Sequence, residues 1–292
     1  MKSPLIFIIY IVTVILFGVS CTSKPENVAT SADGVKISFN EQGQGKTSIV
    51  FVHGWSNNKS LWDDQMSHFA KKYRVVALDL DGFGESGNNR EDWTIQNFSQ
   101  DVVAVINKLK LQQVVLVGFS MGAPVVIETA NRMPDRTIGV VIVDFLQNVD
   151  MKFPPPMVNY IDSLFMDLVT NPTNEKLMAG GFYKKHPDST FKRVLAMLDG
   201  TSKIGWREAL RNTMQWQNED CVEALGKITV PVRAINSQNE PTNVEAFQKY
   251  VPSFQADIVP ETGHLIMWDA PDKFNDLLEA DIQAFLGQSN PK

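Results

Sequence analysis

The feature that most constrains the fold of this 292-residue chain is a repeated alternation of two kinds of segment. Longer segments with helical spacing follow short apolar runs that are rich in valine and isoleucine. Such runs are typical of strands buried on both faces of a parallel sheet. The alternation therefore predicts an α/β fold with a mostly parallel central sheet flanked by helices. The runs occupy residues 48–54, 74–80, 113–118, 138–144 and 230–236, and a further edge strand is predicted near residue 35.

The alternation stops after the run that ends at Asp144. Residues 145–220 contain several helical pieces and many aromatic side chains, but no run of the earlier type. We therefore predict a helical lid at 145–220, inserted into a core formed by residues 34–144 and 221–288. Six large lid side chains are predicted either to wall an apolar pocket or to form the lid's own core: Phe153, Met157, Phe165, Phe182, Trp206 and Trp216.

Charge and motifs exclude several classes of function. The formal net charge is −6, and the basic residues are scattered rather than clustered, so nucleic acid is not an expected partner. The sequence contains no H-E-x-x-H, no cysteine pair at zinc spacing and no P-loop lysine. We expect neither a metal nor a cofactor, and the sequence does not indicate an oligomeric state.

The N-terminal segment differs from the rest of the chain. An apolar run from Leu5 to Val19 is followed by small residues and Cys21, which is the layout of a secretory signal. The "GVSC" at its end resembles the lipobox of a bacterial lipoprotein, although Gly18 stands where leucine is usual. The prediction is a signal peptide at 1–20, a lipidated Cys21 and a polar tether to residue 33. Ordinary secretion and an uncleaved anchor are the alternatives, and each places the domain outside the cytoplasm.

The segment "VVLVGFSMGAP" places Ser120 where a buried strand ends and a helix begins. Gly118 and Gly122 allow neighbouring backbones to approach where a Cβ would clash. This is the G-x-S-x-G pattern, in which a sharp turn exposes a nucleophilic serine at the end of a strand. A serine hydroxyl needs a base to remove its proton. Of the four histidines, His264 follows the last strand-like run, and its place in the chain order makes it the candidate base.

With these motifs the chain, from about Gly34 to Leu286, resembles the α/β-hydrolase superfamily of serine hydrolases, and esterases in particular. "HGW" at 53–55 looks like the family's oxyanion loop, and "DLDGFGESG" at 79–87 looks like its Asp-rich loop. The resemblance implies that the backbone N–H groups of Trp55 and Met121 form the oxyanion hole. It also implies that His53 is structural and orders its loop.

The acid that orients His264 has two candidates. By the same resemblance, "PVRAINSQNE" aligns with the segment after the family's seventh strand and puts Glu240 where an aspartate is usual. The segment from Glu240 to His264 is about one helical turn shorter than is usual there. Asp144, at the end of the preceding strand, is the alternative, because some lipases of the superfamily take their acid from that position. Glu240 is the preferred prediction.

Three functions are compatible with this fold. The first is hydrolysis of a carboxylic ester or related acyl compound through an acyl-enzyme on Ser120. The second is cleavage of a carbon–carbon bond, or cofactor-free perhydrolysis, by the same three residues. The third is non-catalytic binding of a small molecule. The remaining cysteine, Cys221, is predicted to be a small buried residue.

Overall fold

The computed structural model describes residues 27–199 and 203–289. Eight strands form one sheet in the order β1-β2-β4-β3-β5-β6-β7-β8. The strands are β1 (Val28–Thr30), β2 (Lys36–Gln42), β3 (Thr47–Val52), β4 (Arg74–Leu78), β5 (Gln113–Phe119), β6 (Thr137–Val143), β7 (Val232–Ser237) and β8 (Gln255–Val259).

The strands from β4 to β8 pair in parallel, and β1 and β2 form an antiparallel edge. The predicted α/β fold with a mostly parallel sheet is thus confirmed. The five predicted central strands are present and almost completely buried, as their continuous apolar runs require. The edge strand β8 was not predicted, because its side chains are of mixed polarity and mostly lie partly or fully exposed.

Helices cover both faces of the sheet. The hydrophobic side chains form one buried cluster on each face. The side chain of Thr94 accepts a hydrogen bond from the Asn97 N–H and caps the helix that follows. The helices are α1 (Asp63–Phe69), α2 (Ile95–Lys108), α3 (Gly122–Arg132), α4 (Pro155–Thr170), α5 (Asn174–Ala179), α6 (Pro187–Leu198), α7 (Trp206–Glu219), α8 (Cys221–Lys227), α9 (Val244–Gln248), α10 (Ile266–Asp269) and α11 (Pro271–Ser289).

Helices α4 to α7 follow β6 and occupy the segment that was predicted to form a lid. Between residues 145 and 220, the described part of the chain contains helices and loops but no strand. Asp162 on α4 is buried and forms ion pairs with Arg207 and Arg211 of α7. These ion pairs hold the first and last lid helices together.

The N-terminal predictions fall largely outside the described residues. The predicted signal peptide at 1–20 and Cys21 both lie there. The predicted tether to residue 33 requires correction at its end, because Val28–Thr30 forms β1 and pairs with β2. The Ser31 hydroxyl also donates a hydrogen bond to the buried Asp101. Within residues 27–199 and 203–289, no helix is long and apolar enough to cross a membrane.

Candidate active site

Ser120 lies at the carboxyl end of β5, in the turn that leads into α3. Its φ of 51° is in the left-handed region, which is uncommon for a residue with a side chain. The flanking glycines make the turn sterically feasible: a Cβ on Gly118 would lie 2.3 Å from the Gly122 carbonyl oxygen, and one on Gly122 would lie 2.6 Å from that of Val52. The predicted sharp turn at the serine is therefore present in the structure.

Asp144 occupies the equivalent position on the neighbouring strand. Phe119 of β5 is in register with Val143 of β6, so the next residues, Ser120 and Asp144, both lie at the carboxyl edge of the sheet. The Asp144 carboxylate is 4% exposed and accepts hydrogen bonds from the Ser237 N–H, 2.6 Å, and the Gln147 side chain, 3.3 Å. These contacts fix the orientation of the carboxylate.

His264 connects to this carboxylate through its ring. The distance from His264 Nδ1 to Asp144 Oδ2 is 2.6 Å. A carboxylate can only accept, so Nδ1 carries the hydrogen and Nε2 is left with a lone pair. The ring packs against Phe119 and Phe182, and the side chain retains 26% exposure. His264 is thus held in the tautomer that can accept a proton at Nε2.

The preference for Glu240 as the partner of His264 is corrected by this geometry. Glu240 lies in the exposed loop after β7, three residues beyond the strand's last residue, Ser237. Among the described residues, the carboxylate bonded to the His264 ring is that of Asp144. Asp144 lies directly at a strand end beside Ser120, whereas the chain after Ser237 has already turned toward solvent.

The predicted oxyanion donors lie in two loops at the same edge of the sheet. Met121 follows Ser120 at the start of α3, and Trp55 follows the end of β3. No hydrogen bond joins the N–H of either residue to another described residue. Two backbone donors without a partner are what a developing oxyanion requires.

Two buried groups anchor the loop that carries Trp55. His53 is completely buried, its Nδ1 donates to the Gly54 carbonyl at 2.7 Å, and its Nε2 accepts from the Leu80 N–H. Burial lowers the pKa of His53, so the ring is neutral in this arrangement. Further along this loop lies Lys59, whose backbone N–H and Nζ each donate to the buried Asp79 carboxylate at 2.6 Å. His53 is thus placed as the structural residue that the resemblance implies.

Ser120 and His264 share one cavity of about 40 Å³ beneath the lid. Two larger clefts at the surface of the described residues, of about 510 and 460 Å³, contain neither side chain. The residues that line the shared cavity come from the oxyanion loop, the turn at Ser120, the His264 loop and three lid helices with their connections: Trp55, Ser56, Asn57, Ser120, Phe165, Leu168, Val169, Leu177, Phe182, Val194, Leu198, His264 and Leu265. Ser56 and Asn57 were not singled out by sequence, since neither belongs to a chemical motif.

The six large lid side chains take different roles. Phe165 and Phe182 line the cavity, whereas Phe153 lies in a separate surface cleft. Trp206 is buried against Phe83 and donates to the Gly82 carbonyl. Trp216 is also buried, and its indole donates to Glu128. Met157 is half-buried and is not among the cavity-lining residues.

Asp269 joins the lid to the loop that carries His264, a role that sequence reasoning missed. Its buried carboxylate accepts from the N–H groups of Gly263, Lys184 and Lys185, at 2.7, 2.8 and 2.9 Å. Beside it, the His264 N–H donates to the Gly181 carbonyl at 2.8 Å. The residues next to Asp269 in the chain carry no signal of such a contact, because its donors lie up to 85 residues away.

Solved structures with the same fold include several esterases. The esterase EaEST from Exiguobacterium antarcticum has a TM-score of 0.75 and 21% sequence identity, covering 88% of this chain and 99% of its own. A thermophilic esterase from Thermogutta terrifontis has a TM-score of 0.73 and 20% identity, covering 88% of this chain and 98% of its own. At these identities the likeness shows the shared fold.

Sequence relatives extend over most of the chain. The AB hydrolase superfamily protein YisY of Bacillus subtilis is 23% identical over 256 residues, which is 84% of this chain and 94% of that protein. The bifunctional esterase/perhydrolase DCH of Acinetobacter calcoaceticus is 27% identical over 235 residues, 72% of this chain and 81% of that protein. The model of the alpha/beta hydrolase family matches residues 49–277, and the chain therefore belongs to this family.

Proposed function

We propose that this protein is a serine hydrolase that cleaves a carboxylic ester or related acyl compound through an acyl-enzyme on Ser120. The observation that carries this proposal is the shared cavity: it contains Ser120 on its strained turn and His264, whose Nδ1 is paired with the buried Asp144. A nucleophile, a base and a group that orients the base are the three parts that acyl transfer requires.

The reaction proceeds in two halves. His264 Nε2 accepts the proton of Ser120 Oγ as that oxygen attacks the acyl carbon, and Asp144 stabilises the resulting imidazolium. The N–H groups of Trp55 and Met121 donate to the developing oxyanion. The imidazolium then gives its proton to the leaving alcohol, whose bond to the acyl carbon breaks. In the second half, His264 takes a proton from water as the water oxygen attacks the acyl carbon. The imidazolium then returns this proton to Ser120 Oγ as the bond between Oγ and the acyl carbon breaks, which releases the carboxylic acid and free Ser120.

A covalent label and an ester assay test this function together. Purified protein should react with a fluorophosphonate, which phosphonylates an activated serine, and should hydrolyse p-nitrophenyl acetate or butanoate with release of p-nitrophenolate. Heat-denatured protein is the control, since an unfolded chain has no activated serine. A folded protein that neither labels nor hydrolyses these esters would instead be a small-molecule-binding member of the family.

Perhydrolysis is the second candidate, and the similarity to the bifunctional esterase/perhydrolase DCH favours it. In this reaction hydrogen peroxide replaces water in the second half, so the acyl-enzyme yields a peracid and free Ser120. Incubation with an acetate ester, which forms the acyl-enzyme with loss of its alcohol, and hydrogen peroxide, followed by a peracid-specific colour reaction, tests for this activity. Peracid formation that depends on Ser120 would add this activity to the hydrolase.

We also propose that the protein is exported and tethered to a membrane of the cell envelope through a lipid on Cys21. The apolar run from Leu5 to Val19 and the following "GVSC" support this proposal. Cys21→Ser should therefore release the protein from membrane fractions or stall its processing, whereas Cys221→Ser, the matched control, should leave it membrane-bound. Detection of an intact Met1–Gly18 segment in the purified native protein would contradict the lipoprotein assignment.

A further inference from the structure

The cavity at Ser120 is lined mostly by apolar side chains, and its polar members, Ser56, Asn57, Ser120 and His264, include no carboxylate, lysine or arginine. We propose that it is an acyl pocket for a short, uncharged acyl group of about two to four carbons, with the lid residues Phe165 and Leu198 setting the length limit. The proposal rests on the acyl-enzyme function above. It concerns the part of the substrate that remains on Ser120 after the alcohol has left.

The size of the cavity sets the length limit. At about 40 Å³ the cavity has less than a tenth of the volume of either surface cleft, which are about 510 and 460 Å³, so the lid leaves room for only a short acyl chain. A longer chain would have to displace the lid helices that close the cavity.

Packed aromatic rings form the roof of this cavity. Trp55 and Phe165 have ring centroids 5.7 Å apart, Phe165 and Phe182 are 5.8 Å apart, and Phe182 and His264 are 6.0 Å apart. The Trp55 indole is also fixed by donating to the Trp206 carbonyl at 2.6 Å. The series runs without interruption from the oxyanion loop to the base, so the roof spans the acyl site and its rings limit the space below.

Helix α6 forms another wall of the pocket, and contacts of Arg193 hold this helix against the core. Arg193 stacks over the Trp268 ring at 3.9 Å, and its guanidinium pairs with Asp64 at 2.8 Å. Leu198, on the same helix, is 9% exposed and faces the cavity, whereas Leu195 is 37% exposed. The wall that Leu198 contributes is therefore anchored independently of any substrate.

The chemistry of the lining selects against charge. A carboxylate buried without a partner loses its hydration, at a cost that neither Ser56 nor Asn57 can offset with a positive charge. An acyl group that ends in a carboxylate should therefore react more slowly than a neutral group of the same shape.

A series of p-nitrophenyl esters with a constant leaving group tests the pocket. For the intact enzyme, kcat/KM should fall by at least about tenfold between butanoate and octanoate, since one methylene changes discrimination in an apolar pocket roughly 10- to 200-fold. The hydrogen succinate ester should react at least about 100-fold more slowly than the 4-methylpentanoate ester, whose neutral acyl group has the same shape and number of non-hydrogen atoms. Each comparison is a ratio between two substrates and does not depend on the amount of active enzyme.

Paired variants locate the limit in the lid. Leu198→Ala and Phe165→Ala should raise the octanoate-to-butanoate ratio of kcat/KM by about tenfold. The controls are Leu195→Ala, on α6 with Leu198, and Leu164→Ala, on α4 with Phe165. Both alter exposed side chains and should leave the ratio unchanged. Two independent pairs keep the test valid if one pocket variant folds poorly.

The outcomes separate the pocket from the proposed function. A wild-type enzyme that hydrolyses octanoate as readily as butanoate, or hydrogen succinate as readily as 4-methylpentanoate, would overturn the acyl pocket while leaving the hydrolase intact. If the octanoate-to-butanoate ratio of kcat/KM is the same in the pocket variants and their controls, Leu198 and Phe165 do not set the length limit. A protein without any ester turnover or fluorophosphonate labelling would overturn both proposals.

Discussion

Replacing Ser120 with alanine is expected to lower the hydrolysis of p-nitrophenyl butanoate by about 10⁶-fold and to abolish fluorophosphonate labelling. The alanine keeps the Cβ but removes the oxygen that attacks the acyl carbon, and no other group in the proposed reaction can take its place. The thermal unfolding midpoint should change little, because both residues must adopt the same φ of 51° at this turn. Steady-state kinetics, labelling and differential scanning calorimetry provide the three measurements.

Ser56→Ala is the matched control for this variant. Ser56 lines the same cavity and also has a left-handed φ, of 62°, but it lies in the oxyanion loop and not at the end of β5. We expect it to retain full labelling and most of the hydrolysis. Labelling that survives in Ser120→Ala and disappears in Ser56→Ala would move the nucleophile to Ser56.

Replacing Asp144 with asparagine is expected to lower kcat by about 10⁴-fold near neutral pH. An amide is nearly the same shape as the carboxylate, and its oxygen is needed to accept from the Ser237 N–H, so its NH₂ group would face His264 Nδ1. An NH₂ group cannot accept the hydrogen of Nδ1 and cannot stabilise an imidazolium. The ring would then favour the tautomer with its hydrogen on Nε2, which is no longer a base. Labelling by the fluorophosphonate should slow in parallel, since it needs the same base.

Glu240→Gln is the corresponding control, because it makes the same chemical change in the exposed loop after β7. It should leave kcat and KM close to those of the unaltered enzyme. The reverse order, with Glu240→Gln inactive and Asp144→Asn active, would contradict the assignment and require the loop after β7 to move onto His264. Near-full activity in both variants would show that another group orients the imidazole.

The central sheet could be predicted because its physical signal is local. A strand buried on both faces needs an unbroken run of apolar residues, and the five such runs all became parallel strands. The strands β1 and β8 lie at the two edges of the sheet, where one side of the strand has no neighbour and polar residues are tolerated. Because neither strand contains a continuous apolar run, the sequence did not predict them, and residues 28–30 were assigned to the tether.

The lid shows a similar division. Its helical character follows from the local pattern, but the direction of each aromatic side chain does not. Phe165 faces the cavity on α4, whereas the buried Trp206 instead lies against Phe83 of the core. That difference depends on how each helix is rotated against its neighbours, and rotation is set by packing between residues that are far apart in the chain.

By itself, the sequence determined the turn at Ser120, because the G-x-S-x-G pattern is local and the close approach of Gly118 to the Gly122 carbonyl joins residues four positions apart. It also limited the acid to two carboxylates, Glu240 and Asp144. Only the tertiary structure chose between them. The pairing of Asp144 with His264 joins residues 120 positions apart, and it depends on where the loop after β8 lies relative to the end of β6. A hydrogen bond depends on distance in space, and chain order alone does not specify that distance.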